Sequence, residues 1–89
     1  MNNFDYPFTI NPDIIIQHLE DQVVLLNPDS GAAFGLDGVS THVWELMQSV
    51  DNMAPVKQQM LLDFEVEEDR LEKDLINFYQ QLKTIELIR

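Results

Sequence analysis

The sequence predicts an α+β domain: a three-stranded antiparallel β-meander followed by three helices, winged-helix-like in outline. Three observations carry this. Between Ile14 and Leu36 the apolar residues come in short β-branched or alternating runs of strand length. From Val39 onward their spacing changes to the threes and fours of a helix. The breaks between the first three runs are too short for anything but antiparallel neighbours.

The first strand reads as Ile14-Ile15-Ile16-Gln17-His18-Leu19-Glu20, β-branched at its start and alternating after it. Asp21-Gln22 is a polar break, and Val23-Val24-Leu25-Leu26-Asn27 is the second run. Pro28-Asp29-Ser30-Gly31 is a turn: proline sets φ, Asp and Ser bond the backbone locally, and glycine tolerates positive φ. Ala32 to Leu36 is the third strand. Asp37-Gly38 breaks it, and Val39, Val43, Leu46, Met47 and Val50 then mark one face of a first helix, with Ser40 placed to cap it and Asp51-Asn52 to end it. Pro55 suits the first turn of a second helix, whose buried stripe is Val56, Met60, Leu61 and Phe64. Glu65-Val66-Glu67 leads to a third helix starting near Glu68, with Leu71, Leu75, Phe78 and Leu82 as its core stripe and Ile76 and Tyr79 on a flank. Its acidic start and Lys83 near its end both suit the helix dipole. A meander of three strands must lay one face on the helices, and Trp44 is the expected keystone. The segment before Asn11, with Phe4, Tyr6, Pro7 and Phe8, reads either as an irregular arm or as a further edge strand. Residues 1–89 form one domain, with 1–13 as an N-terminal arm.

Composition removes several function classes. The 89 residues carry 16 acidic and 5 basic side chains, a net charge of −11. Phosphate backbones and anionic membrane surfaces repel such a chain, so neither nucleic acid nor membrane is expected as a partner. Cysteine is absent, which removes disulfides, thiolate nucleophiles and zinc knuckles. His18 and His42 are the only histidines, too few for a multi-histidine metal site. No apolar run reaches membrane-spanning length, and the N-terminus lacks the charge and apolar stretch of a secretory signal, so the expected address is the cytoplasm. No Lys or Arg precedes Lys57, whereas seven acidic residues fall between Asp63 and Asp74. That cluster reads first as a solvated helical face, and second as a preference for a neutral or basic partner.

No catalytic constellation stands out. The carboxylates are not paired in any evident cleft, and Ser30, Ser40 and Ser49 sit at turn or helix-end positions with no triad base in view. The Asp-Gly fragments at 29–31 and 37–38 lack the further ligands of a calcium loop. Gly31, Gly35 and Gly38 do not make a phosphate-binding fingerprint. The expectation is a chain that is not an enzyme, with no catalytic residues, no metal and no cofactor. What remains is an edge and a groove. The third strand is the last of its meander, and its small residues Ala32, Ala33 and Gly35 let another backbone approach. Ile76 and Tyr79 of the third helix would form the other wall. The plainer reading is that Ala32 and Gly35 fit under a helix and Tyr79 is a half-buried core residue.

Val24-Leu25-Leu26-Asn27, Asp29-Ser30-Gly31, Phe34-Gly35-Leu36-Asp37-Gly38-Val39 and Val43-Trp44-Glu45-Leu46 together resemble the PqqD-like family, with Phe64-Glu65-Val66 and Asp74 in the later positions of its pattern. These are the RiPP recognition elements, which bind leader peptides of ribosomally made, post-translationally modified peptides. The resemblance runs from about Ile14 to Ile88. It implies that a leader peptide adds as a strand to the third strand, at Ala32, Ala33, Phe34, Gly35 and Leu36. It also implies that leader side chains fill pockets near the last helix, around Asp74, Ile76, Tyr79 and Lys83. One departure stands near the end: members often have Gly before the final Leu, and here Glu86 precedes Leu87. Free-standing members serve lasso-peptide or similar maturation, beside a separate leader peptidase or modifying enzyme, or else pyrroloquinoline quinone biosynthesis. The closer match is to the general pattern, which favours the lasso type. Two other classes remain. A winged-helix regulator needs a basic recognition helix, and the third helix starts acidic. A self-associating structural module would use the same strand edge to form a homodimer.

Overall fold

The computed structural model describes residues 4–89. Alternation in the first half closes into three strands, β1 (Ile15–His18), β2 (Val23–Leu26) and β3 (Ala33–Leu36), antiparallel in the order β1-β2-β3. Helical spacing gives α1 (Gly38–Met47), α2 (Met53–Asp63) and α3 (Glu68–Thr84). The register pairs Ile16 with Leu25 and Leu25 with Phe34, which puts these three on one sheet face with Val23 and Leu36. That face meets the helices, and Leu25 and Leu36 are fully buried there. Gln17, Val24 and Gly35 share the other face, which none of the three helices among the described residues covers.

The turn after β2 closes through Asn27, whose N–H donates to the Ala32 carbonyl at 2.8 Å, and Gly31 takes φ +78°. The Asn27 side chain is buried and hydrogen-bonded through both its oxygen and its nitrogen. Its carbonyl oxygen accepts the Asp29 N–H, and its amide donates to the Ile85 carbonyl at 3.0 Å beyond the end of α3. The β2–β3 turn is thus tied to the end of α3.

Asp37, not Ser40, caps α1: its carboxylate accepts the Ser40 N–H at 2.8 Å. Capping needs extended backbone, which Asp37 has at φ −82° and ψ −173°. The Ser40 hydrogen bond holds the Asp37 pKa below its ordinary value. Asp37→Ala is therefore expected to cost about 1 kcal/mol at neutral pH. A group with a depressed folded pKa stabilises fully above its unfolded pKa, about 3.9, and loses that contribution as pH falls through the folded value. Urea titrations should thus show the variant and the parent converging in acid.

α1 stops at Met47, and Val50 follows it half-buried. Val39 and Phe64, expected in the apolar stripes, are 55% and 40% exposed. Val39 lies in the first turn at the rim of the core, and Phe64 is the extended residue that ends α2. Leu71, Leu75, Phe78 and Leu82 are all buried, as their spacing requires. α2 and α3 are locked by Lys57, fully buried, whose ammonium pairs with Glu68 at 2.7 Å and with Glu72, and lies over the Phe4 ring. Burial pulls the Lys57 pKa down, but the two carboxylates outweigh it and hold the group above the usual lysine range.

α3 ends in a Schellman motif: Leu87 N–H donates to the Leu82 carbonyl and Glu86 N–H to that of Lys83. The motif needs a left-handed residue, and Glu86 takes φ +58°, at the position where the resembled family often has glycine. The helix therefore terminates in the geometry glycine favours, with a strained side chain in its place. Glu86→Gly is expected to stabilise the fold by about 1 kcal/mol, read as a raised urea midpoint with an unchanged slope.

The N-terminal segment is an irregular arm, and residues 1–3 of it lie outside the described residues. Its described residues form isolated bridges at Pro7–Asn52 and Ile10–Ile88, and none of them pairs with the sheet. Phe4 and Phe8 are buried, and Tyr6 packs edge-on against Tyr79. Asn11, also buried, donates to the Glu86 carbonyl. No helix among the described residues is long and apolar enough to cross a membrane.

Candidate functional site

The site begins with which main-chain groups of β3 are left over. Asn27 N–H bonds the Ala32 carbonyl across the β2–β3 pair. In an antiparallel ladder, bonded and non-bonded pairs alternate, so Phe34 and Leu36 direct their N–H and C=O toward β2, while at Ala32 the carbonyl does so and the N–H donates to Ser30 Oγ at 3.2 Å. The N–H and C=O of Ala33 and Gly35 then point outward. β3 is the last strand of the sheet, and among the described residues no strand lies beside that edge.

Beneath the edge runs a groove whose other wall is α3. Phe34 projects from β3 onto Phe78 of α3, ring centroids 5.8 Å apart. On one side of this contact a cavity of about 470 Å³ is lined by Ala33 and Phe34, and by Asn77, Gln80, Gln81 and Thr84 of α3. On the other side a cavity of about 300 Å³ reaches Val39 and Ser40 of α1, with Val43, Met60, Leu71, Leu75 and Phe78 as apolar lining and Asp74 and Glu65 as its carboxylates. The first compartment is amide-lined and lies beside the start of β3; the second is apolar, is set among α1, the end of α2 and α3, and has no β3 residue in its lining. Behind the apolar compartment, His42 bonds Asp63 at 2.7 Å and meets the Phe64 ring edge-on. Hydrogen bonds from His42 and Gln59 hold the Asp63 carboxyl below the usual carboxylate range.

The expected site residues divide. Ala33, Phe34, Gly35 and Leu36 form β3, and Asp74 lines the apolar compartment. Ala32 stands just before the strand, half-buried, with its carbonyl turned toward β2. Gly35 is exposed and does not sit under a helix; the Gln22 amide occupies the space a Cβ would need. Ile76, Tyr79 and Lys83 do not line the groove. At about 100° per residue, the three lie roughly 100–160° around α3 from Phe78, on the side away from Asp74, Asn77 and Gln81. Tyr79 is buried beneath the arm, its hydroxyl donating to the Pro7 carbonyl at 2.6 Å, with Lys83 over its ring. The groove-facing residues that sequence reasoning passed over are Asn77, Gln80, Gln81 and Thr84. Their signal was a polar row beside the core stripe, which is also the pattern of an ordinary solvated flank.

Comparison with known proteins adds three findings. The family model for coenzyme PQQ synthesis protein D (PqqD) matches residues 22–88. A solved structure described as TbiB1 in complex with the TbiA(beta) leader peptide is 29% identical, with a TM-score of 0.80 over 90% of this chain and 93% of that one. Another, lasso peptide synthetase B1 complexed with the leader peptide, is 23% identical, with a TM-score of 0.80 over 94% of this chain and 99% of that one; this likeness is one of fold. No curated protein matches the chain.

Proposed function

The chain belongs to the PqqD family, and from that premise we propose that it binds the leader region of a ribosomally made precursor peptide by strand addition to β3. It then delivers the bound leader to a separate leader peptidase or modifying enzyme. The observation that carries this is the outward-facing edge of Ala33 and Gly35 above a groove walled by α3. Both similar solved structures are complexes with a leader peptide, and β3 offers such a peptide a main-chain template.

Side-chain directions follow from the register. In an antiparallel added strand, the residues facing Ala33 and Gly35 exchange main-chain bonds with them and turn their side chains to the open sheet face. The residue facing Phe34 turns its side chain into the groove, and its own N–H points to solvent. Groove-filling positions of the leader are thus the ones that tolerate proline.

Magnitudes separate the contributions. The four outward groups of Ala33 and Gly35 supply up to four main-chain bonds, each about 0.5–1.5 kcal/mol net. A micromolar complex needs about 8 kcal/mol after the cost of association has been met. Main-chain pairing alone falls short, so side chains buried in the two compartments supply the remainder and the selectivity. The role is a non-catalytic one, in which β3 and α3 provide template and walls.

Of the two pathways, the lasso type is favoured: one of the two structures sharing the fold is a lasso peptide synthetase B1. The family model is described by coenzyme PQQ synthesis, which supports quinone biosynthesis as the second reading. Calorimetric titration of the chain with a lasso-type leader and with a quinone-precursor peptide separates them. Micromolar binding of the lasso-type leader, at least about tenfold tighter than the other (1.4 kcal/mol), is the expected result. The reverse order assigns the quinone pathway, and binding of neither contradicts leader recognition.

A further inference from the structure

One side chain on the open face of the sheet reaches over β3. Val24 and Gly35 are partners across β2 and β3, as are Val23 and Leu36. Gln22 therefore stands diagonal to Gly35, on the face that carries Val24. Its amide nitrogen lies over Gly35, in the space that a Cβ would fill. Gln22 is exposed, and among the described residues its side-chain amide makes no hydrogen bond. Gly35 does not have the positive φ that Gly31 has, so no turn requires a glycine there. Its missing side chain makes room for the amide.

Gly35 is, with Ala33, a residue whose N–H and C=O point out of the sheet. A leader residue paired with it exchanges both main-chain bonds and turns its side chain onto the open face. Residues opposed in such a pair lie about 5.5 Å apart at Cα. The Gln22 amide sits above Gly35 itself, so a leader oxygen or nitrogen one or two bonds beyond Cβ comes within hydrogen-bond reach, about 3 Å. The leader residue facing Ala33 lies two positions further along, roughly 7 Å away. Its neighbour across Ala33 is the apolar Leu26, and the amide is beyond its reach. The two outward-turned leader positions thus meet different chemistry.

We propose that Gln22 is a specificity-determining residue of the leader site: its amide hydrogen-bonds the polar side chain of the leader residue facing Gly35. This rests on the leader-binding reading above. The amide both donates and accepts, so it takes Asn, Gln, Ser or Thr at that position. An apolar residue there covers the amide and leaves its hydrogen bonds unmade, which selects against it. A carboxylate is disfavoured by the chain's charge of −11. The groove has no part in this choice, because the residue facing Phe34 points the opposite way. Gly35 is the seat of the amide, and β3 reads the leader on both faces.

The test uses the full chain and a synthetic leader of the precursor encoded beside it, with the register first fixed by nuclear Overhauser contacts to Phe34 and Gly35. The leader residue facing Gly35 should be Asn, Gln, Ser or Thr. Calorimetry then follows two variants. Gln22→Met keeps volume over Gly35 without the hydrogen bond, and Gly35→Ala places a Cβ that displaces the flexible amide. Each should weaken leader binding about two- to tenfold with an unchanged urea midpoint. Both losses should vanish with a leader carrying Ala at the position facing Gly35, and persist with one carrying Ala at the position facing Ala33. An apolar residue facing Gly35, unchanged affinity in Gln22→Met, or a loss that persists with the first altered leader each overturns the proposal. A parent that binds no leader, or binds it away from β3, fails the leader reading itself and the proposal with it, and the register experiment shows this before any variant is made.

Discussion

Ala33→Pro should abolish most leader binding in a protein that still folds. The Ala33 N–H points out of the sheet, so proline removes no ladder bond there, and an edge strand is where proline is tolerated. The leader loses one main-chain bond, worth about 1 kcal/mol, and meets the pyrrolidine ring where its own backbone should lie. At least about a tenfold loss of affinity is expected, measured by calorimetry on a variant whose circular dichroism and urea midpoint match the parent. Phe34→Pro is the internal contrast. Phe34 directs its N–H at Leu25 and its ring at Phe78, so that variant should lose stability as well. Unchanged leader affinity in folded Ala33→Pro would show that the peptide does not pair at this residue.

Trp44→Ala should be the most damaging single truncation for the fold. Trp44 is 2% exposed on the inner face of α1, within the cluster that joins Leu25 and Leu36 of the sheet to Leu75 and Phe78 of α3. Removing a buried Trp costs about 3–5 kcal/mol, against roughly 5–15 kcal/mol for a whole domain. At 89 residues the domain belongs toward the lower end of that range, so the variant should be partly unfolded at room temperature. Far-ultraviolet circular dichroism through a urea titration reads this without the lost fluorophore. The indole N–H makes no hydrogen bond among the described residues, so Trp44→Phe forfeits volume but no polar contact and should cost much less.

The fold was legible because its two halves carry different periods. Val23 to Leu36 and the stripe Leu71, Leu75, Phe78, Leu82 each state their own geometry locally. Caps and ends were less so. Asp37 and Ser40 are both good capping residues three positions apart, and only the backbone at Asp37 decides between them. The arm was illegible because its partners, Asn52, Tyr79 and Ile88, are far away in sequence. That same distance hid the groove's true flank. α3 packs on two sides, against β3 through Phe78 and against the arm through Tyr79, and a single helical stripe does not say which neighbour covers which flank. Ile76, Tyr79 and Lys83 thus read like Asn77, Gln81 and Thr84 until the arm is in place. Lys57 was hidden too, since a lone lysine in a helix looks solvated until Glu68 and Glu72 come to meet it.

The central claim is that a leader strand pairs with β3 and fills the groove against the near flank of α3. A backbone-amide NMR titration with the leader of the precursor encoded beside this chain tests it residue by residue. The account predicts shifts at Ala33 to Leu36 and at Asp74, Asn77, Gln81 and Ile85, with the amides of Ile76, Tyr79 and Lys83 moving least along α3. Shifts concentrated at Tyr79, Lys83 and the arm, with β3 silent, would contradict it.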